Sequence, residues 1–187
     1  MQWKPLFTGK LVRLAAPRAD DYAVFSKWQD NDEYLRIMDN DPARPLSPEQ
    51  YMQWEKEHFD GPIKGSHMFF FRVRTLAEDQ LIGIAGVGVD WMHRTANMGV
   101  SIGDPEYWGK GYGSDAIQLI LNYAFSELNI YRVGISTIAY NERAARAYEK
   151  AGFRHEGAWR RAIERQGERF DVVQFGILRE EWEGRSE

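Results

Sequence analysis

Gly109, Gly111 and Gly113 stand at alternate positions within Tyr107-Trp108-Gly109-Lys110-Gly111-Tyr112-Gly113-Ser114. Glycine accepts positive φ and lets a ligand approach the main chain, so such a loop can turn several N–H groups toward one point. A helical pattern follows at once, with Ile117, Ile120, Leu121, Ala124 and Leu128 on one stripe. A helix opening there adds free N–H groups and the positive end of its dipole. The chemistry on offer is the binding of a phosphate or diphosphate. The competing reading is a tight turn of small residues. Asp115, in the first turn, suits the dipole but not a bound anion, so its side chain is expected to point away.

Two familiar phosphate motifs fit poorly. A P-loop needs Gly-Lys-Ser/Thr, whereas Gly109-Lys110 is followed by Gly111-Tyr112. Gly111-x-Gly113-x-x-Ala116 satisfies the dinucleotide pattern, yet Asp104 to Trp108 separate it from the preceding strand. The strand after its helix ends Ser136-Thr137-Ile138, without the acid that a ribose would require. A second group lies downstream. Asn141 is a good helix cap, and Tyr148, two turns later, shares a face with Ala144 and Ala151. A phenol so placed is either a core residue or a proton donor. The four histidines show no metal-ligand spacing. Without cysteine there is no disulfide framework, thiolate metal site or acyl-cysteine intermediate, and a reducing compartment such as the cytoplasm is expected.

The elements that must position these groups follow from periodicity. Leu11 to Leu14 reads as a strand, and a helix opens near Asp20 or Asp21 with Tyr22, Phe25 and Trp28 on one face. A short helix is expected over Asn31 to Met38. Ser47-Pro48-Glu49-Gln50 is a capping box opening a third, with Tyr51, Trp54, His58 and Phe59 in helical register. Gly61 to His67 reads as a polar loop. Met68 to Arg74, Leu81 to Val89 and Ala96 to Ile102 form a three-stranded meander, where Gly83, Gly86 and Gly88 predict a bulge or a close backbone approach. A helix from Asp115 to Leu128, a strand from Tyr131 to Ile138 and a helix from Asn141 to the Gly152 stop come next. Phe153 to Glu164 and Arg169 to Leu178 pair around Gln166-Gly167, and only the last residues look frayed. This order is an α+β layer arrangement with a mixed sheet. At 187 residues, with 43% hydrophobic content including 7 Trp, 9 Tyr and 10 Phe, one domain with an ample core is expected. A net charge of −4 argues against a general nucleic-acid binder, and no apolar run suits a membrane span or signal peptide.

From about Leu81 to Leu178 the chain resembles the GCN5-related N-acetyltransferase (GNAT) superfamily, and within it the ribosomal-protein N-terminal and spermidine acetyltransferase branch. The residues that carry the resemblance are Pro105 to Ser114, Asn141-Glu142-Arg143-Ala144, Ala147-Tyr148-Glu149-Lys150-Ala151-Gly152-Phe153 and Glu156-Gly157. The N-terminal half, 11–75, matches loosely and would supply the acceptor-side helices; 81–178 would form the cofactor-binding and catalytic core. The resemblance implies the GNAT fold: a mixed, mostly antiparallel sheet, flanked by helices on both faces and splayed between its two central strands. It implies acetyl-coenzyme A as cofactor and a primary amine as acceptor, either a small molecule or a protein N-terminus. The family signature Arg/Gln-x-x-Gly-x-Gly/Ala aligns with Trp108-Gly109-Lys110-Gly111-Tyr112-Gly113, so Trp108 stands in place of Arg or Gln.

On that resemblance the cofactor residues are Trp108, Gly109, Lys110, Gly111, Tyr112, Gly113 and Ser114 at the diphosphate, Val100, Ser101 and Ile102 along the pantetheine, and Asn141 and Ala144 on the following helix. Backbone N–H groups of the Val100 to Ile102 strand would also serve the oxyanion. Tyr148 stands where the family's thiolate-protonating tyrosine stands. Relatives often carry a glutamate base where this chain has Asn97, which leaves water relay, Glu33, Asp90, His93 or His155 to take the amine's proton. A run of acids, Asp30, Asp32, Glu33, Asp39 and Asp41, is a solvated face or a lure for a cationic amine. Two further readings stay open: a CoA-binding regulatory or assembly module with little activity, and a dinucleotide enzyme. A homodimer through the C-terminal hairpin or an edge strand is a further option that no residue pattern encodes.

Overall fold

Between residues 68 and 102, β-branched, aromatic and small residues are punctuated by two polar turns, and this stretch folds as an antiparallel meander. Its strands are β2 (Met68–Thr75), β3 (Leu81–Asp90) and β4 (Thr95–Ile102). A computed structural model describes residues 5–38, 42–59 and 66–184 of the chain. β1 (Val12–Ala15) adds to the outer edge of β2. On the other side β5 (Arg132–Ile138) joins β4 in parallel, and the hairpin of β6 (Arg154–Arg165) and β7 (Glu168–Leu178) completes the order β1-β2-β3-β4-β5-β7-β6. The hairpin turn has φ of 53° at Gln166 and 80° at Gly167, the left-handed pair that matches strand twist. Among the described residues β4–β5 is the sole parallel pair, so the sheet is mixed and mostly antiparallel, as expected.

That parallel pair is short. Thr95, Ala96 and Asn97 face Arg132, Val133 and Gly134, and the register ends there. Beyond it, 98–102 and 135–138 diverge, which is the splay the resemblance called for.

Helices lie on both faces. α4 (Tyr112–Asn122) and α5 (Glu142–Ala151) pack over one, in a core that includes Val87, Met98, Ile117, Ile120, Ile135 and Ile177. α1 (Asp21–Trp28), α2 (Asp32–Met38) and α3 (Pro48–Phe59) gather on the other around Phe25, Trp28, Tyr34, Tyr51 and Leu81. The capping box forms as read: Ser47 Oγ accepts from Gln50 N–H at 3.2 Å, and Gln50 Oε1 accepts from Ser47 N–H at 2.9 Å.

Several boundaries differ from the sequence reading. The helix expected from Asp115 begins at Tyr112, and its last turn, Tyr123–Glu127, widens to a π-helix in which Leu128 N–H reaches Tyr123 O. A short sixth helix, α6 (Arg179–Glu183), closes the described chain and was not anticipated. Gly83 and Gly86 do sit under a close backbone approach, since a Cβ there would come within 2.2 Å of Ser101 O and 3.0 Å of Phe69 O; Gly88 lies instead under the side chain of Met68. Asp20 makes no cap hydrogen bond, and Asp21 is not a solvent-facing cap at all. Its carboxylate is buried and pairs with Arg72 at 3.2 Å and with Arg74, while Arg72 reaches Glu55 at 2.7 Å. This ion network ties α1 and α3 to β2, and the Arg72 guanidinium lies 4.8 Å over the Phe25 ring. Most of the Gly61 to His67 loop, Asp39 and Asp41 of the acidic run, the His58 and Phe59 side chains, and the final residues 185–187 fall outside the described residues.

Candidate active site

The splay opens a cleft of about 580 Å³ walled by β4, β5, the start of α4 and the start of α5. Its anion end is built from backbone. Gly109 has φ 73° and Gly111 has φ 92°, which turns the chain sharply into α4. Among the described residues, Asp115 N–H is the first in this stretch to find an acceptor, Gly111 O at 2.9 Å; the N–H groups from Gly109 to Ser114 have none. A Cβ added at Gly109 would meet nothing within 4 Å, so the loop borders open space. Asp115 points away, as expected. Its carboxylate accepts from the N–H groups of Lys10, Leu11 and Val12 at 3.1, 2.8 and 3.0 Å. The cradle therefore keeps its donors and loses the nearby negative charge. These donors and this space fit a phosphate-bearing ligand.

The β4 wall carries the donors for an extended ligand. Gly103 N–H bonds Ile82 O at 2.9 Å, so by alternation along the strand the N–H groups of Val100 and Ile102 turn toward the gap. The Ile102 carbonyl is already taken, accepting from Trp108 Nε1 at 2.7 Å. Ser101 faces α2, where its side chain hydrogen-bonds the buried hydroxyl of Tyr34; burial pushes that phenol up to about 12.

Opposite, Asn141 caps α5 by accepting from Ala144 N–H at 3.2 Å, and both residues line the cleft. Tyr148 follows two turns later, buried, with its ring edge-on to Phe175 at 5.6 Å and tilted against Phe153 at 6.1 Å. It also lines the cleft, and its hydroxyl has no hydrogen-bond partner among the described residues. Desolvation raises that phenol to about 12, so it carries its proton throughout the neutral range. Of the residues expected at the cofactor, Val100, Ser101, Ile102, Trp108, Gly109, Gly111, Gly113, Ser114, Asn141, Ala144 and Tyr148 meet in this one cleft. Lys110 and Tyr112 are not among its walls; Lys110 is exposed, and the Tyr112 ring packs edge-on against Tyr107 at 5.0 Å.

At its other end the cleft is lined by Gly86, Gly88, Asn97 and Gly99, and the same sheet face continues past its walls with few side chains. Gly86, Gly88, Gly99, Gly134 and Gly176 share one sheet face through the registers Gly88↔Asn97, Gly86↔Gly99, Asn97↔Gly134 and Gly134↔Gly176. Asn97 lies across Gly134, where a Cβ would come within 2.6 Å of Asn97 Oδ1. The carboxylate of Glu156 lies across Gly176 and pairs with Arg132. Glu156 stood in the Glu-Gly pair that carries part of the resemblance, and its exposed carboxylate is not among the walls of the cleft. Of the groups weighed for the amine's proton, none lines the cleft itself, and Glu33 lines the cavity beside it together with Asn141 and Arg143. Asp90 holds the β3–β4 turn by accepting from Met92 and His93 N–H, and His93 is exposed. His155 packs on Phe175. Glu33, Asp30 and Asp32 are exposed, and α2 offers the cleft Ile37 and Met38 rather than its acids. Among the described residues no cluster of His, Asp and Glu could hold a metal ion.

Fold and site together define an acetyltransferase of the GNAT class. The chain belongs to that family: the family's sequence profile, described as an acetyltransferase (GNAT) domain, matches residues 12–154. Members of the family use acetyl-CoA. The chain is 29% identical over 178 residues, 95% of each protein, to the SPbeta prophage-derived uncharacterized N-acetyltransferase YokL of Bacillus subtilis. It is 34% identical over 110 residues to the putative ribosomal N-acetyltransferase YdaF of the same species, covering 58% of this chain and 60% of that one. The crystal structure of spermidine N-acetyltransferase from Vibrio cholerae in complex with CoA and spermine superposes with a TM-score of 0.79 at 24% identity, over 91% of this chain and 97% of that one.

Proposed function

We propose that this protein transfers the acetyl group of acetyl-CoA to a primary amine, on a protein N-terminus, a polyamine or another small amine, by direct attack and without an acyl-enzyme. The observation that carries the reading is the single cleft in which the unpaired N–H groups of Gly109 to Ser114, the open edge of β4 and the protonated phenol of Tyr148 converge. The cradle holds the diphosphate, and the Val100 and Ile102 N–H groups pair with the extended pantetheine as an added strand would. The thioester supplies an acetyl carbon open to attack and a sulfur leaving group. A β4 N–H from this stretch stabilises the oxyanion, Tyr148 gives its proton to the departing sulfur, and water relays the amine's proton out of the cleft.

The whole of residues 1–187 acts as one catalytic domain in this reading, working in a reducing compartment such as the cytoplasm. A second reading keeps the cofactor and drops the chemistry: a CoA-binding regulatory module. Asn97 favours it, because an amide cannot accept the amine's proton. One experiment separates the two. Purified protein with acetyl-CoA is assayed for free thiol against spermidine, aminoglycosides and N-terminal peptides of ribosomal proteins. Acceptor-dependent thiol release supports catalysis; tight acetyl-CoA binding with no release across the panel overturns it in favour of the module.

A further inference from the structure

Trp108 stands where the family signature has Arg or Gln, and the cradle it opens contains no lining cation of its own, since Lys110 points elsewhere and Asp115 is turned away. A cation reaches it from the opposite wall. The guanidinium carbon of Arg143 lies 3.9 Å above the centre of the Trp108 ring. Trp108 is itself fixed by its Nε1–H to Ile102 O, so the indole is a rigid platform at the junction of the loop and β4. Arg143 belongs to the first turn of α5, where the helix dipole disfavours a positive charge. Its stack therefore spans the cleft from α5 to the cradle loop.

A guanidinium lying over an indole ring keeps its N–H groups available to an acceptor. Among the described residues Arg143 makes no hydrogen bond, and its nearest acid, the exposed Glu33, is 3.9 Å away. Arg146 also lines the cleft, but it is held by Glu142 at 2.9 Å. Arg143 thus presents planar, unspent donors, of the geometry that matches a phosphate in two-point fashion. We propose that Arg143, held on the Trp108 ring, clamps a phosphate of the bound cofactor and so supplies, from the facing helix, the side-chain contact that the signature's Arg or Gln position no longer offers. The inference rests on the acetyl-CoA reading above and names one more of that site's contacts.

The test measures binding of acetyl-CoA, acetyl-dephospho-CoA and acetyl-pantetheine by calorimetry to the wild type and to Arg143→Gln, Arg143→Lys and Trp108→Ala. Losing a charge-assisted pair costs roughly 10-fold to 100-fold in affinity. Arg143→Gln is expected to lose this for acetyl-CoA and nothing for acetyl-pantetheine, which has no phosphate. Arg143→Lys, which keeps charge without the planar stack, is expected to fall between. Trp108→Ala should weaken acetyl-CoA similarly, and its combination with Arg143→Gln should cost no more than either change alone. A loss kept with acetyl-dephospho-CoA assigns the diphosphate as the target, and a loss confined to acetyl-CoA assigns the 3′-phosphate. Equal losses for all three ligands, or none, overturn the clamp, because a merely structural stack does not distinguish phosphorylated from phosphate-free ligands. Failure of the wild type to bind any of them overturns the acetyl-CoA reading itself, and the clamp with it; wild-type binding with an unaffected Arg143→Gln overturns the clamp alone.

Discussion

Replacing Tyr148 by Phe isolates one oxygen. The ring contacts with Phe153 and Phe175 depend on the aromatic face and edge, which Phe retains. The hydroxyl borders the cleft and has no hydrogen-bond partner to lose among the described residues, so its removal is close to neutral for the fold. The variant should therefore be about as stable as the wild type. Acetyl-CoA affinity should stay within about threefold, equivalent to less than ~1 kcal/mol. Turnover should not survive in the same way. Removing the proton donor for the departing sulfur costs about 100-fold to 10,000-fold, or roughly 3–5 kcal/mol of barrier. The pH profile adds a constraint. Because burial holds the phenol at about 12, its ionisation cannot shape the rate below pH ~10, and the ratio of variant to wild-type turnover should be flat there. The assay is thiol release at saturating acceptor, with calorimetry for the cofactor and thermal melting for the fold. A variant with wild-type turnover and wild-type melting would refute the role and return Tyr148 to the core.

Three further outcomes follow from the same geometry. Asp21→Asn leaves the buried Arg72 and Arg74 with one carboxylate fewer; the loss should be roughly 3–5 kcal/mol, lowering Tm by about 6–20 °C, and a shift under ~2 °C in thermal melting would contradict the buried network. Gly111→Ala forces a side chain to φ 92° with only Leu11 at 3.5 Å as a neighbour, so backbone strain of about 1–2 kcal/mol should appear as lower stability or weaker acetyl-CoA binding by calorimetry, rather than as a clash. Tyr34 and Tyr148 are raised to about 12, and Tyr51 is pushed up further by burial. A raised folded value means their protons favour the native state: that stability is complete below the unfolded value near 10 and drains away as pH climbs toward 12. Phenolate absorbance should therefore appear in two waves, exposed tyrosines first and these three with the unfolding transition; a single wave near pH ~10 with the fold intact would contradict their burial.

What could be read from the chain was local. The Gly109 to Ser114 loop, the Asn141 cap and Tyr148 all declare themselves within one turn and one helix, because their geometry is set by neighbours in sequence. The meander and the C-terminal hairpin were legible for the same reason. Contacts formed across the sheet were not. Asp21 looks like a helix cap until β2 brings Arg72 and Arg74 beneath it. Glu156 looks like a surface acid on an edge strand until the β7 register lays it across Gly176. Arg143 looks like one more helix-face charge, and only the splay reveals that its neighbour is Trp108. A partial signal existed for Arg143, since a cation in a helix's first turn runs against the dipole. The acidic run left a solvated face and a lure for a cation both open, and the described acids Asp30, Asp32 and Glu33 are exposed while α2 turns Ile37 and Met38 to the cleft.

The carboxylate of Asp115 joins parts of the chain 105 residues apart, and this has a consequence for the order in which the protein assembles. Residues 10–12 leave the ribosome early, yet their N–H acceptor is made only after α1, α2, α3 and the whole meander. A ribosome-bound chain must therefore carry β1 with that end unfastened for most of its synthesis, and long-range closure of this kind slows folding. The same contact makes the start of the chain and the floor of the cofactor cradle one mechanical unit. Ligand binding at Gly109 to Ser114 should slow amide exchange at residues 10–12, and a fusion placed tightly against β1 should be felt at that loop.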